Sequence, residues 1–160
     1  MSITCRHLEK KDNKEIADLI RSVFREFDIA RPGTVFFDPT TDDLYTLFQA
    51  PRSVYWLAGD DGKIIGGCGV YPTENLPADC GEIVKLYLLA PYRKQGIGRQ
   101  LLEMSIKSAR ELGYKQLYLE SLPELGKAIS LYQKEGFGFI DHKMGDDGHF
   151  GCTIWMIKNL

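Results

Sequence analysis

Between Glu82 and Arg99 the chain reads EIVKLYLLAPYRKQGIGR. An apolar run of strand character ends at Leu89, a short turn carries Arg93, Lys94, Gln95, Gly96, Ile97 and Gly98, and helical periodicity starts at once. Two glycines two residues apart let a backbone turn tightly with no Cβ in the path of a ligand. The first N–H groups of a helix have no partner inside it, and the helix dipole favours negative charge there. The expected chemistry is a seat for a diphosphate, with Arg93, Lys94 and Arg99 adding positive charge. Taken alone, the pattern is shared with ordinary tight turns. It is not a P-loop, because no G-K-[ST] follows, and it lacks the third glycine of the dinucleotide fingerprint, which disfavours a nicotinamide cofactor. Gly66-Gly67-Cys68-Gly69 falls inside a strand and reads as close backbone packing or a bulge.

Other side chains with chemical capacity are dispersed. Glu82 opens the apolar run, with Val84, Leu86 and Leu88 as its alternate neighbours. A carboxylate in that company is expected to hold its proton more tightly, unless it turns outward to solvent at the strand end. Tyr132 shares a helical face with Leu125, Ala128 and Ile129, and periodicity alone makes it a core aromatic. His7, His142 and His149 are scattered and read as structural or exposed. Cys5, Cys68, Cys80 and Cys152 form no C-x-x-C pair and have no histidine at ligand spacing, so no metal site is expected and the thiols read as reduced.

The elements that must position these groups fit one domain over residues 1–160. A hydrophobic fraction of 44% with 18 aromatics (8 Phe, 8 Tyr, 2 Trp) argues for a packed core and against disorder. A net charge of -2 and the lack of a long basic run argue against nucleic acid as partner. Neither a signal peptide nor a membrane-spanning run is evident, so a cytoplasmic protein away from membranes is expected.

A first strand is predicted over 2–8. A helix then starts with Asp12 and Glu15 as a capping box, its apolar face formed by Ile16, Leu19, Ile20, Val23, Phe24 and Phe27. Residues 28–41 form an irregular loop, followed by a short helix over 42–49. Strands over 53–58 and 63–71 make a hairpin around an Asp-Gly turn, and 82–89 is a buried strand. Helices over 97–112 and 124–135 flank a strand over 116–120, and strands over 137–142 and 152–158 close the chain. This order predicts an α/β fold, a mixed and mostly antiparallel sheet with helices on both faces.

KLYLLAPYRKQGIGRQLL resembles motif A of the GNAT N-acetyltransferase superfamily, and LYLESLPELGKAISLYQKEGF is similar to its motif B, with A-x-x-L-Y-x-K-x-G-F at its end. The two motifs stand in family order, and the likeness extends over essentially the whole chain, implying an acyl-CoA N-acyltransferase-like fold. The resemblance implies acetyl-CoA as cosubstrate, transfer to an amine, and a strand that splays from its neighbour to admit the coenzyme. Backbone groups of Leu86, Tyr87 and Leu88 would run beside the pantetheine arm, and main-chain N–H groups from Lys94 to Arg99 would hold the diphosphate. It further implies Glu82 as general base, directly or through water, and Tyr132 as proton donor to the departing thiolate. The loops after the first helix and before the last strand would border the acceptor, which brings in Asp28, Arg31 and His149. Arg31 is suited to grip a substrate carboxylate. Two departures stand out: Ala90 occupies a position often held by proline, and Leu125 stands where many members have a coenzyme-contacting asparagine. A non-catalytic acyl-CoA-binding or sensor module is the alternative on the same fold, and exposed strand edges make a homodimer reasonable.

Overall fold

A computed structural model describes residues 2–160 of the chain. Seven strands form a single sheet in the order β1-β2-β3-β4-β5-β7-β6. They are β1 (Ile3–His7), β2 (Val54–Asp60), β3 (Lys63–Tyr71), β4 (Cys80–Leu88), β5 (Gln116–Ser121), β6 (Gly138–Ile140) and β7 (Ile154–Asn159). Every pairing is antiparallel except β4 with β5, which matches the mixed, mostly antiparallel sheet expected. The β2–β3 hairpin turns on Asp61 and Gly62, both at positive φ (49° and 86°), the conformation a tight two-residue hairpin requires.

Helices α1 (Asn13–Glu26) and α2 (Leu44–Leu47) cover one face, and α3 (Ile97–Glu111) and α4 (Gly126–Lys134) the other. The amphipathic stripe of α1 buries Ile16, Leu19, Ile20, Val23 and Phe24 against Leu57, Ile64 and Tyr55. On the opposite face α3 buries Ile97, Leu101, Leu102, Ile106 and Ala109 against Cys68, Ile83 and Leu117.

The predicted capping box is corrected. A 3-10 turn over Lys10–Asp12 precedes α1, and Asp12 makes no side-chain cap on the helix. Its carboxylate instead accepts two bonds from the Arg6 guanidinium (both 2.8 Å) and one from the Glu9 backbone N–H (2.8 Å). Glu15 turns to the sheet and accepts from the Ile64 backbone N–H at 2.7 Å. The tie to β1 and the tie to the hairpin win over local capping because both carboxylates find stronger or more buried donors there.

Two irregularities shape the centre of the sheet. First, β4 carries one extra residue opposite β3 between the pairs Gly67↔Tyr87 and Gly69↔Val84, and Lys85 sits there at φ 55°. This is a β-bulge, and it reverses the inside–outside alternation. Val84 therefore packs with the α1 cluster whereas Leu86 and Leu88 pack with the α3 cluster. The expectation that Glu82, Val84, Leu86 and Leu88 share one face fails at this residue. Second, β4 and β5 pair over only Cys80↔Gln116, Gly81↔Leu117 and Glu82↔Tyr118. Beyond Glu82 the strands part: β4 stays with β3 and β5 stays with β7.

The glycine run of β3 serves the bulge. A Cβ on Gly67 would lie 2.7 Å from the Tyr55 ring, and one on Gly69 would lie 2.5 Å from the Val54 carbonyl oxygen and 2.7 Å from Tyr55. Their absence lets the Tyr55 ring lie flat against β3 and reach β4. The run packs closely against Tyr55, and the bulge lies opposite it, with the extra residue on β4.

Candidate active site

The parted strands open onto a cleft of about 1610 Å³ that runs from the start of α3 to the loops over 28–41 and 143–151. Its two ends have different chemistry.

At one end the turn before α3 carries Lys94 at φ 63° and Gly96 at φ 82°, and no side chain caps the helix. The first N–H groups of α3 are thus left for a ligand. Gly96 is required by its backbone angle, since a Cβ there would meet no atom within 4 Å. At Gly98 a Cβ would make only ordinary contacts with Leu131 (3.8 Å) and Leu88 (3.9 Å). The cations are not equivalent. Arg93 is held by Glu26 (2.6 and 2.8 Å) and by the Leu88 carbonyl (3.0 Å), and Arg99 by Glu103 (2.8 Å) and Glu135 (2.9 Å). Lys94 lies against Lys127, whose pKa it lowers, and both line the cleft. Two ammonium groups at one end of the cleft favour an anion there. Lys127 escaped the sequence reading because only the fold brings α4 to the turn before α3. Leu125 and Ala90 keep the two departures: Leu125 lines the cleft at the head of α4, and Ala90 begins a 3-10 turn over Ala90–Tyr92.

Where β4 and β5 part, Glu82 forms part of the last pair and is 3% exposed. It accepts from the Thr73 hydroxyl at 2.5 Å. Burial raises its pKa well above the usual carboxylate range, and the nearby Asp147 and Glu120 charges push the same way. Glu82, Glu120 and Asp147 offer carboxylate oxygens within 4.8 Å of one another. The Lys143 ammonium lies on this group, 2.8 Å from Glu120 and 3.1 Å from Asp147, and also donates to the His149 carbonyl at 2.8 Å. The Tyr118 hydroxyl donates to Glu120 at 2.7 Å and accepts from the Met144 backbone N–H at 3.1 Å.

His149 ties the two loops. Its Nε2 lies 2.7 Å from Asp38 and its Nδ1 3.5 Å from Asp147. Burial opposes charge on the ring, yet hydrogen bonds to Asp147 and Asp38 outweigh it and raise the imidazole pKa. Asp147 is likewise disfavoured by burial but is held far below the usual range by His149 and Lys143. Gly151 adds a backbone bond from its N–H to the Gly33 carbonyl at 2.8 Å. Tyr132, 7% exposed, lines the cleft from α4, and burial raises its pKa, so its hydroxyl keeps its proton. Cys152 also lines the cleft, with its thiol pushed up to about 12 by burial first and by Glu120 and Asp147.

Of the residues singled out in the sequence, the fold brings Glu82, Leu86, Tyr87, Leu88, Arg93, Lys94, Gly96, Gly98, Arg99, Tyr132 and His149 to one cleft. Asp28 stands apart. It is exposed at φ 55° and ends α1, where the Ile29 N–H returns to the Phe24 carbonyl at 2.9 Å. Arg31 is engaged by Glu124 in a salt bridge. Gln95 donates to the Pro91 carbonyl at 3.1 Å, and Ile97, the first residue of α3, is buried in the core between helix and sheet.

The sheet thus opens beyond its one parallel pair, with an uncapped helix start at one end of the cleft and a buried carboxylate where the strands part. The acetyltransferase (GNAT) family matches residues 15–139, and the chain belongs to that family. Over 156 residues it is 36% identical to the uncharacterized N-acetyltransferase YjgM of Escherichia coli (strain K12), covering 97% of this chain and 93% of that one. Among solved structures, an acetyltransferase of the GNAT family from Staphylococcus aureus Mu50 superposes with a TM-score of 0.88 at 21% identity, covering 99% of each chain. The PaiA N-acetyltransferase from Thermoplasma acidophilum, in complex with coenzyme A, gives a TM-score of 0.77 at 20% identity and covers 100% of each chain. Among the described residues no helix is long and apolar enough to cross a membrane.

Proposed function

We propose that the protein transfers the acetyl group of acetyl-CoA directly to an amine, with Glu82 as the base and Tyr132 as the proton donor. Family membership supports the reaction class. The cleft fits the coenzyme on three counts: the uncapped start of α3, the paired ammonium groups of Lys94 and Lys127, and the free edge of β4 beyond Glu82. Acetyl-CoA supplies an acyl carbon already activated as a thioester.

The α3 amides, with Lys94 and Lys127, bind the diphosphate end. The free edge of β4 at Leu86, Tyr87 and Leu88 offers main-chain groups to the amide-bearing arm, as one strand does to the next. An acceptor amine must shed a proton before its lone pair is available. At a lysine-like pKa only about one molecule in 2,500 is neutral at pH 7. Glu82 takes that proton, directly or through one water, and its raised pKa makes it a stronger base than a solvated carboxylate. Tyr132 donates its proton to the departing sulfur, a role that its burial keeps it ready for.

The observation that carries this reading is the position of Glu82 at the point where β4 and β5 separate. A buried acid is costly to keep, and among the described residues Thr73 alone is hydrogen-bonded to its carboxyl group. The test is release of free thiol from acetyl-CoA across a panel of amines. Thiol release that depends on an amine supports transfer, and coenzyme binding without it would identify a binding module instead.

A further inference from the structure

Lys85 stands in the middle of the apolar run Ile83-Val84-Lys85-Leu86. The β4 bulge puts it at φ 55°, and its carbonyl is fixed by the Tyr55 hydroxyl at 2.7 Å. Its side chain, partly buried, lines the cleft at the acceptor end beside Asp38, Glu82, Asp147 and His149. Two further observations make it unlike the other charges there.

The first is that each surrounding carboxylate already has its own donors. Glu82 has Thr73, Glu120 has Tyr118 and Lys143, Asp147 has Lys143 and the His149 backbone, and Asp38 has Thr40 and His149. The second is that the three donors of Lys85 have no hydrogen-bonded acceptor among the described residues. Its interactions with Asp38, Glu82 and Asp147 act through space only, restraining the fall in pKa that burial causes. An ammonium that lines the cleft with no hydrogen-bonded acceptor from the protein is open to an oxygen anion supplied from outside. Arg31, the sequence's candidate for that duty, is taken up by Glu124.

We propose that Lys85 binds an anionic group of the acceptor, and that the acceptor is therefore an amine that also carries a carboxylate, as an amino acid does. This rests on the transfer reaction proposed above and names its substrate class. The bulge is then a device for specificity. It turns a residue of the central strand into the cleft, within reach of the charge of the acid that takes the amine's proton. The inner charges also suit such a zwitterion, with Glu82 near the amine and Lys85 at the carboxylate.

The experiment compares the α-amino acids with their own amides and with the corresponding decarboxylated amines, in thiol release by the wild-type protein and by Lys85→Met and Lys85→Arg. The wild type is expected to use its best acid acceptor at least tenfold better in kcat/KM than the matched amide. Lys85→Met should raise KM for the acid about 10- to 100-fold, the range of one charged hydrogen bond, and leave the amide within a factor of about three. Lys85→Arg should recover part of the preference, which a merely structural lysine would not show. Should the wild type use amides as well as acids, or Lys85→Met leave the ratio unchanged, Lys85 does not read the acceptor and the transfer reaction stands. If acetyl-CoA binds but no amine in any series is acetylated, the transfer reaction falls and this inference falls with it. If Lys85→Met does not fold, a wild type that uses acid and amide equally still overturns the proposal, and the acid-to-amide ratio of Lys85→Arg relative to the wild type tests whether Lys85 sets it.

Discussion

The Tyr55 hydroxyl crosses the face of β3 to donate to the Lys85 carbonyl oxygen at 2.7 Å, joining β2 to the bulge of β4. Gly67 and Gly69 make the passage, because a Cβ on either would lie 2.7 Å from the Tyr55 ring. The bulge is therefore held from behind, and the geometry of the cleft depends on a residue outside it. Tyr55→Phe is expected to cost about 1–3 kcal/mol, the penalty for stranding a buried carbonyl, as read from the urea midpoint.

Glycines in this chain divide into those that make room and those that do not. Gly69→Ala drives a Cβ to 2.5 Å from the Val54 carbonyl oxygen, a backbone atom that cannot turn away. A loss of roughly 1–3 kcal/mol or more is expected. Gly126 has φ -58° at the start of α4 and open space around its Cβ position. Gly126→Ala should therefore raise stability by about 0.4–1 kcal/mol. Since Gly126 also lines the cleft, coenzyme titration of that variant will show whether the space is kept for the ligand.

Glu82→Gln separates activity from stability. The folded chain holds the Glu82 proton at pH values where the unfolded chain, near an ordinary carboxyl value of about 4.3, has released it. The wild type thus loses stability from this group as pH rises, through the raised folded pKa. Glutamine carries no such penalty. Glu82→Gln is expected to be the more stable protein at pH 8 by thermal melting, and to lose the acid limb of the rate profile together with about 10²–10⁴-fold in turnover.

Tyr132→Phe keeps the ring that packs against Phe137, whose centroid lies 6.0 Å away, and removes only the hydroxyl. Turnover should fall by about 10²-fold or more while the dissociation constant for acetyl-CoA changes less than about twofold. Unaltered turnover removes Tyr132 from the chemistry.

His149→Asn tests the tie between the loops over 28–41 and 143–151. The raised pKa of His149 means that its stabilising contribution is full below the unfolded value of about 6.5 and disappears as pH climbs through the folded value. Amide hydrogen exchange over residues 28–41 and 143–151 should quicken in the variant at pH 6, and the difference from the wild type should shrink at pH 9.

Much of this architecture was legible from pattern. The α1 stripe, the Asp-Gly hairpin and the glycine turn before α3 are local features, and local spacing reports them. Glu82 was legible as a buried acid because its neighbours are apolar. The bulge at Lys85 was not, since alternation along β4 breaks for reasons lying on other strands, in the glycines of β3 and in Tyr55 of β2. For the same cause Leu86 and Leu88 were placed on the wrong face. Asp12 and Glu15 fit a capping pattern, but Arg6 and the Ile64 N–H compete for their oxygens and win. Lys127 and the pairing of His149 with Asp38 lie far apart in the chain, and no spacing rule connects them. Asp28 and Arg31 were brought in by loop position alone, and the loop spends them on a helix end and on Glu124.

The separation of β4 from β5 leaves the molecule one strand short at its centre, with peptide groups that water must satisfy. A bound arm that completes those bonds would act as a removable part of the fold. Resistance to heat and to proteases would then report how much coenzyme surrounds the protein, rising by about 2.7 kcal/mol when free ligand reaches a hundred times its dissociation constant.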